Sequence, residues 1–245
     1  MLDERMFQEI RNIVVEQSKQ EPNHGFHVIS NLNWHRYEEQ IKSALQCLPS
    51  RGKVLDVGCG WGHTTAMLAA SRPDLEFVGI DMLEAPSWAK LERYGARFIV
   101  CNALAIPFES EFETVIAFGV MEHTDDEKRF LNQVNKSLKT SGCLIIFNLP
   151  NKYALSEWLA GVLGLWSHEH KYTMAQIKEL LKATDFNVTS MKREFIVPAQ
   201  VDRVSRRLGS LFNKHYILLD KLDSWLAATP FRLVAESWTI YAKRS

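Results

Sequence analysis

One segment constrains this chain more than any other: a strand that runs directly into three glycines at alternate positions. In Val54-Leu55-Asp56-Val57-Gly58-Cys59-Gly60-Trp61-Gly62-His63 an apolar, β-rich run ends in Gly58, and Thr64, Thr65, Ala66, Met67 and Leu68 continue as a helix. Glycine is needed where a turn demands unusual backbone angles and where a Cβ would obstruct a ligand lying on the main chain. Amides at the start of the following helix point into the same crevice. A dinucleotide turn, G-x-G-x-x-G, would place its third glycine at His63, but here it is Gly62. An acid, Asp56, also stands two positions before the first glycine. Beside a pyrophosphate that acid would be poorly placed. It suits a cation such as the amino group of an amino acid, reached directly or through water. The spacing favours a nucleoside joined to an amino acid over NAD.

What surrounds the loop has the rhythm of an α/β sheet. The runs Val54–Val57, Phe77–Ile80, Phe98–Cys101, Thr114–Phe118 and Cys143–Leu149 are apolar without alternation, as in strands covered on both faces. Helices are expected between them, with capping boxes at Thr124 to Glu127 and Thr173 to Gln176. Ile177, Leu180, Leu181 and Thr184 continue the second at helical spacing. Strand–helix alternation argues for a doubly wound α/β sheet. Ahead of it, residues 1–20 read as a polar helical leader with little apolar area, and Asn23-His24-Gly25 as a break. Trp34 to Leu48 reads as a helix with Tyr37, Ile41, Leu45 and Leu48 on one face. Residues 1–50 are therefore expected to form an N-terminal helical cover and residues 51–245 the main domain. Two stretches, near 152–170 and 200–230, fit no alternation and are expected as helical insertions over the strand ends.

Composition narrows the class of partner. Twenty-nine basic and 29 acidic residues leave no surplus for neutralising phosphates, so a nucleic-acid partner is not expected. Cys47, Cys59, Cys101 and Cys143 form neither a disulfide framework nor a CxxC pair. The charged start argues against a signal peptide, and no apolar run approaches the ~18 residues of a membrane span. A soluble, cytoplasmic protein is expected.

Further positions carry the ligand argument onward. Asp81 closes the second strand, 19 residues after Gly62, where an acid can accept from two ribose hydroxyls. Met82 could lie on an adenine face. Asn102 and the Ala103 N–H could read its edge. In order and spacing these segments resemble the class I S-adenosylmethionine-dependent methyltransferases: Val54–Gly62 the first motif, Gly79-Ile80-Asp81 the second and Asn102–Phe108 the third. Phe112–Ile116 resembles the following strand, with Glu113 where Asp is commoner. Leu138–Leu144 resembles the turn into strand five, with Thr140-Ser141 replacing Pro-Gly. The resemblance implies S-adenosylmethionine as cofactor, bound through Asp56, Gly58, Cys59 (by its backbone N–H), Gly60, Asp81, Met82, Asn102, Ala103 and Phe118. It also implies a mostly parallel, seven-stranded, Rossmann-like sheet with an antiparallel last strand, for which Ala235–Lys243 is the candidate.

Methyl transfer to a hydroxyl or amine is helped by a base, and His123, just after the fourth strand, is the first candidate. His168, in Ser167-His168-Glu169-His170, is the second. Leu32–Arg36, Phe118 through His123 and Ser167–Glu169 also resemble the ubiquinone-pathway O-methyltransferases. That resemblance implies a cofactor contact for Arg36 and a metal-holding E-x-x-E-H cluster. Gly119 stands where its first Glu would be, so no metal is expected. Trp158, Leu159, Val162, Leu163, Leu165 and Trp166 form one apolar surface. Leu208, Leu211, Phe212, Tyr216, Leu218, Leu219, Leu222 and Trp225 form another. These are expected to pack on each other or across a homodimer, with an apolar acceptor pocket or peripheral membrane contact as the sharper reading. Arg203, Arg206, Arg207 and Lys214 flank the second surface. The expected activity is O-methylation of a small, fairly apolar organic acceptor. Methylation of a saccharide or lipid-linked glycan and a catalytically silent cofactor-binding protein are the alternatives.

Overall fold

The computed structural model describes residues 4–20, 30–164, 167–199, 201 and 205–245. Seven strands form one sheet: β1 (Lys53–Val57), β2 (Glu76–Asp81), β3 (Ala96–Val100), β4 (Phe112–Phe118), β5 (Leu138–Pro150), β6 (Phe186–Glu194) and β7 (Ser237–Arg244). Their order is β3-β2-β1-β4-β5-β7-β6. The first five strands pair in parallel, while β7 runs antiparallel to both neighbours. The order reverses at β1, where β2 leaves on one side and β4 on the other. Open α/β sheets bind their ligands at such a switch point, beyond the carboxyl ends of the strands.

Two-sided burial explains the missing alternation. Val54, Phe77, Ile116, Ile145 and Phe147 point into one core with helix α3 (His63–Ser71) and the N-terminal helices α1 (Glu4–Gln20) and α2 (Asn31–Leu45). Leu55, Val57, Ile80, Val115 and Ile146 face the opposite core, formed with α5 (Glu127–Ser137) and α7 (Met174–Lys182). A short helix, α4 (Trp88–Leu91), follows β2.

Four local expectations need adjusting. The leader is more than a polar helix: Phe7, Ile10, Ile13 and Val14 are buried in the first core, because these apolar positions fall on one face of α1. The capping box expected at Thr124 is absent. Asp126 caps α5 instead by accepting from the Arg129 N–H, while the Thr124 hydroxyl donates to the Met121 carbonyl. Strand β5 begins at Leu138, ahead of a register shift, and Ser141 adopts a φ of 62° where the family turn would carry glycine. The helix read as Trp34 to Leu48 starts and ends three residues earlier, with Ser30 as its cap. At Thr173 both arms of the capping box are present.

The insertions form α6 (Leu155–Val162), α8 (Arg206–Lys214) and α9 (Tyr216–Ala227). Phe212, Tyr216, Leu219 and Leu226 pack on Leu32, Val197 and Ala199. Leu208, Leu211, Leu218, Leu222 and Trp225, with Trp158, Leu159, Val162 and Leu163, remain exposed. Asn23, His24, Gly25, Leu165, Trp166 and Arg203 lie outside the described residues. Among those described, no helix is long and apolar enough to cross a membrane.

Candidate active site

The glycine loop is held from below and from the side. Gly58 N–H (2.8 Å) and Cys59 N–H (3.0 Å) both donate to the Ile80 carbonyl, tying the loop to the end of β2. The Cys59 amide is therefore committed to the fold; its thiol is buried. Trp88 Nε1 donates to the Gly60 carbonyl and Ser87 Oγ to that of Trp61. All three loop glycines have positive φ, at 71°, 51° and 78°. A Cβ on Gly58 would lie 2.3 Å from Val120, and one on Gly62 2.7 Å from Phe98, whereas a Cβ on Gly60 would meet nothing within 4 Å. Gly58 and Gly62 thus serve close packing, and Gly60 faces the open crevice.

Two carboxylates lie next to the loop, one at its side and one beneath it. Asp81 Oδ2 accepts from the Gly60 N–H at 2.8 Å and Oδ1 from the Leu83 N–H at 3.2 Å. A carboxylate has further lone pairs to offer to hydroxyls. Asp56 lies buried beneath the loop, where Oδ2 accepts from Thr64 Oγ1 (2.9 Å) and Thr65 Oγ1 (2.6 Å). Its Oδ1 is buried without a hydrogen-bond partner. Burial pushes this carboxyl up to about 6, against the pull of the two threonine hydroxyls.

At the outer end, Met82 is 66% exposed. Asn102 follows the neighbouring strand, its Oδ1 accepting from the Leu104 N–H, with half-buried Ala103 beside it. At the inner end, Phe118 stacks on Phe147 with centroids 4.7 Å apart and leans on Tyr37. Tyr37, read from sequence only as a core position, also meets His63 edge-on. Burial, with Glu122 and Asp56 nearby, pushes its hydroxyl up to about 12. Burial holds His63 down at about 4, so it is neutral.

A second cluster sits beside the loop, after β4. The one-turn helix Met121–His123 brings His123 to within 4.0 Å of Glu122, and the rings of His123 and His168 lie 5.9 Å apart. His168 is held by Glu157 of α6: Nδ1 lies 2.7 Å from Oε1, and the His168 N–H donates to Oε2. Burial lowers the His123 imidazole, helped by His168 and His170. It raises Glu122, whose side chain is 3% exposed, to about 7. From sequence Glu122 is read only as the remaining Glu of an incomplete E-x-x-E-H cluster, and Glu157 is missed. An acid on an apolar helix eleven residues from a histidine carries no local signature.

Arg36, expected at the cofactor, is engaged by protein partners. Its guanidinium donates to Glu236 Oε2 (3.1 Å) and the Val197 carbonyl, lies 3.7 Å from Asp223 and covers the Phe195 ring. It ties α2 to the ends of β6 and β7. A cofactor carboxylate reaching it would have to join two anions already there.

This geometry agrees with the relationships of the chain. A family model described as a methyltransferase domain matches residues 30–191. A demethylmenaquinone methyltransferase of Thermotoga maritima is 31% identical over 166 residues, covering 56% of this chain and 71% of the relative. A ubiquinone biosynthesis O-methyltransferase of Rickettsia akari is 27% identical over 165 residues, covering 62% and 65%. In fold, the chain is similar to the 1,6-didemethyltoxoflavin-N1-methyltransferase of Burkholderia thailandensis, solved with S-adenosylhomocysteine. The TM-score is 0.62 at 15% identity, covering all of this chain and 92% of that one. The family match spans the glycine loop, both carboxylates and the histidine cluster, and the chain belongs to the S-adenosylmethionine-dependent methyltransferases.

Proposed function

We propose that the protein transfers the methyl group of S-adenosylmethionine to a hydroxyl oxygen of a small, fairly apolar organic acceptor. The observation that carries this is the gathering of Glu122, His123 and His168 at the end of β4, against a glycine loop whose Gly60 faces open space. In this reading Asp81 accepts from the ribose hydroxyls and Met82 lies along the adenine. Asn102 and the Ala103 N–H read the adenine edge. Asp56 Oδ1, buried and unsatisfied, takes a water that reaches the amino group. Gly58 and Gly60 keep the loop low enough for the methionine portion.

Methyl transfer from a sulfonium is an in-line displacement: the acceptor oxygen forms a bond to the methyl carbon as the carbon–sulfur bond breaks. The acceptor's proton must leave. A neutral imidazole can receive it, and the lowered basicity of His123 keeps that ring neutral at pH 7. Holding acceptor and methyl at about 3 Å in line supplies much of the rate. The apolar face of α6, exposed at Trp158 and Leu159 beside Glu157, favours a hydrophobic body on the acceptor. Both curated relatives carry names from quinone biosynthesis, one of them an O-methyltransferase, which supports an aromatic hydroxyl as the first class to try.

The test is a panel of phenolic and aliphatic hydroxyl compounds incubated with S-adenosylmethionine and read for a gain of about 14 daltons. His123→Ala should lower turnover on a hit by about 10²-fold, the lower end of general-base effects, with cofactor affinity kept. Cofactor binding with no product across the panel would favour the silent binder. Wild-type turnover in His123→Ala would remove the base.

A further inference from the structure

The segment between β6 and β7 carries a surface that the proposed function does not use. Helix α9 buries one face: Asp223 lies against Arg36, and Tyr216, Leu219 and Leu226 pack on Leu32, Val197 and Ala199. On the opposite face Leu218, Leu222 and Trp225, at the helical spacing i, i+4 and i+7, project into solvent. Leu208 and Leu211 on α8, and Phe231 and Leu233 on the short helix Pro230–Val234, are exposed as well, and both elements pack on α9. So many large apolar side chains in water mark an interaction surface. Its charge has one sign. Arg206, Arg207, Lys214, Lys221 and Arg232 are exposed there, whereas Asp220 faces His35 at 3.5 Å and Asp223 is buried. The two acids of α2, on which α8 and α9 pack, are engaged too: Glu38 lies 3.8 Å from His35 and Glu39 2.6 Å from Lys42. Among the described residues from 205 to 234, no exposed carboxylate accompanies the cations. The whole chain has 29 basic and 29 acidic residues, so the excess is local. Where α8 meets α9, Lys214, His215 and Lys221 line a cleft of about 280 Å³ together with Tyr216, Ile217 and Leu218.

We infer that the face formed by α8 and α9 docks on the surface of a bilayer that contains anionic phospholipid. Leu218, Leu222 and Trp225 enter the boundary between headgroups and acyl chains, and the five cations meet lipid phosphates. This is how an amphipathic helix divides its work at a membrane interface. The cleft between the two helices suits one headgroup, with Lys214 and Lys221 for the phosphate and Ile217 and Leu218 for the start of an acyl chain. A second copy of the chain fits the face poorly. A two-fold contact sets identical patches together, which here opposes cation to cation with no exposed carboxylate to pair them. Docking of this kind requires no membrane-spanning helix, and it rests neither on the acceptor nor on the base.

The experiment is co-sedimentation of the full chain with vesicles of phosphatidylglycerol mixed with phosphatidylcholine, and with vesicles of phosphatidylcholine alone. Partition into the mixed vesicles should exceed that into phosphatidylcholine by about tenfold or more, and should fall as added salt screens the charges. Lys214→Glu combined with Lys221→Glu should weaken it by about tenfold or more. Trp225→Ala should weaken it by about tenfold through lost apolar burial. The same charge change on α7, Lys178→Glu with Lys182→Glu, should leave partition close to wild type. A thermal unfolding midpoint equal to that of wild type shows that each variant is folded. No partition, equal partition into both kinds of vesicle, or unchanged partition in the Lys214 and Lys221 double variant would overturn the docking. So would a dimer in sedimentation equilibrium that Trp225→Ala dissociates, because a second copy would then cover the face.

Discussion

Gly58 and Gly60 look alike in sequence and have different duties. Both have positive φ, so any side chain costs about 1 kcal/mol or more in backbone strain. At Gly58 a Cβ also collides with Val120, adding an overpacking cost of roughly 1–3 kcal/mol. Gly58→Ala should therefore lower the melting temperature clearly more than Gly60→Ala. Gly60→Ala should weaken S-adenosylmethionine binding in a protein of nearly normal stability, because its methyl enters space reserved for the ligand. Thermal unfolding and calorimetry on the two variants separate these outcomes.

Asp56 gives a pH-dependent prediction. Its pKa rises from the ordinary 3.8 to about 6 on folding, because burial disfavours the charge. The folded state therefore binds this proton more tightly than the unfolded chain does. The resulting stability is complete below about 4 and is lost as pH rises through about 6. Asp56→Asn removes that dependence. In unfolding without cofactor, the variant should gain on wild type by up to about 3 kcal/mol between pH 4 and pH 7, at about 1.4 kcal/mol per pK unit. A difference that stays constant with pH would contradict the buried, unpaired state of Oδ1.

At the scale of elements, Arg36 joins α2 to the far side of the sheet. It stands with Asp223 of α9, which also accepts from the Ile196 (2.7 Å) and Val197 (2.6 Å) N–H groups. Removing one member of a buried charge cluster leaves the others uncompensated. Arg36→Ala should cost on the order of 3 kcal/mol in denaturant unfolding. Arg36→Lys should rescue little, since a single ammonium cannot reach Glu236 and the Val197 carbonyl together. Unchanged stability would show the cluster to be dispensable.

The same residue shows where sequence reading ends. Strands β1 to β5 were legible because two-sided burial writes itself as apolar runs, and the Gly58 loop because its backbone needs glycine. Thr173 was legible because both partners of its capping box lie within four positions. Arg36 was noticed, but its partners stand some 160 to 200 positions away, and nothing local ties them together. The α1 core face was underrated because Phe7, Ile10 and Val14 are diluted among charged neighbours. Asp126 displaced Thr124 as cap because the chain first closes a turn at Met121–His123. Glu157 was invisible for the reason that hid the Arg36 cluster: the histidine it holds is brought to it by the fold.

At the scale of the molecule, the sheet order β3-β2-β1-β4-β5-β7-β6 puts the glycine loop, Asp81 and the Glu122 cluster after the carboxyl ends of the adjacent strands β1, β2 and β4. The insertions leave Trp158 and Trp225 each 64% exposed. In the proposed reading the sheet supplies the cofactor half and the segments added to it the acceptor half. The central claim is that this crevice holds S-adenosylmethionine with Asp81 on the ribose. Calorimetric titration of wild type and Asp81→Ala with S-adenosylhomocysteine tests it most directly. Wild type should bind one equivalent, and Asp81→Ala should bind at least tenfold more weakly, the loss of about 1.4 kcal/mol expected for charge-assisted hydrogen bonds. Equal affinity in the two proteins, or no binding by wild type, would contradict the account.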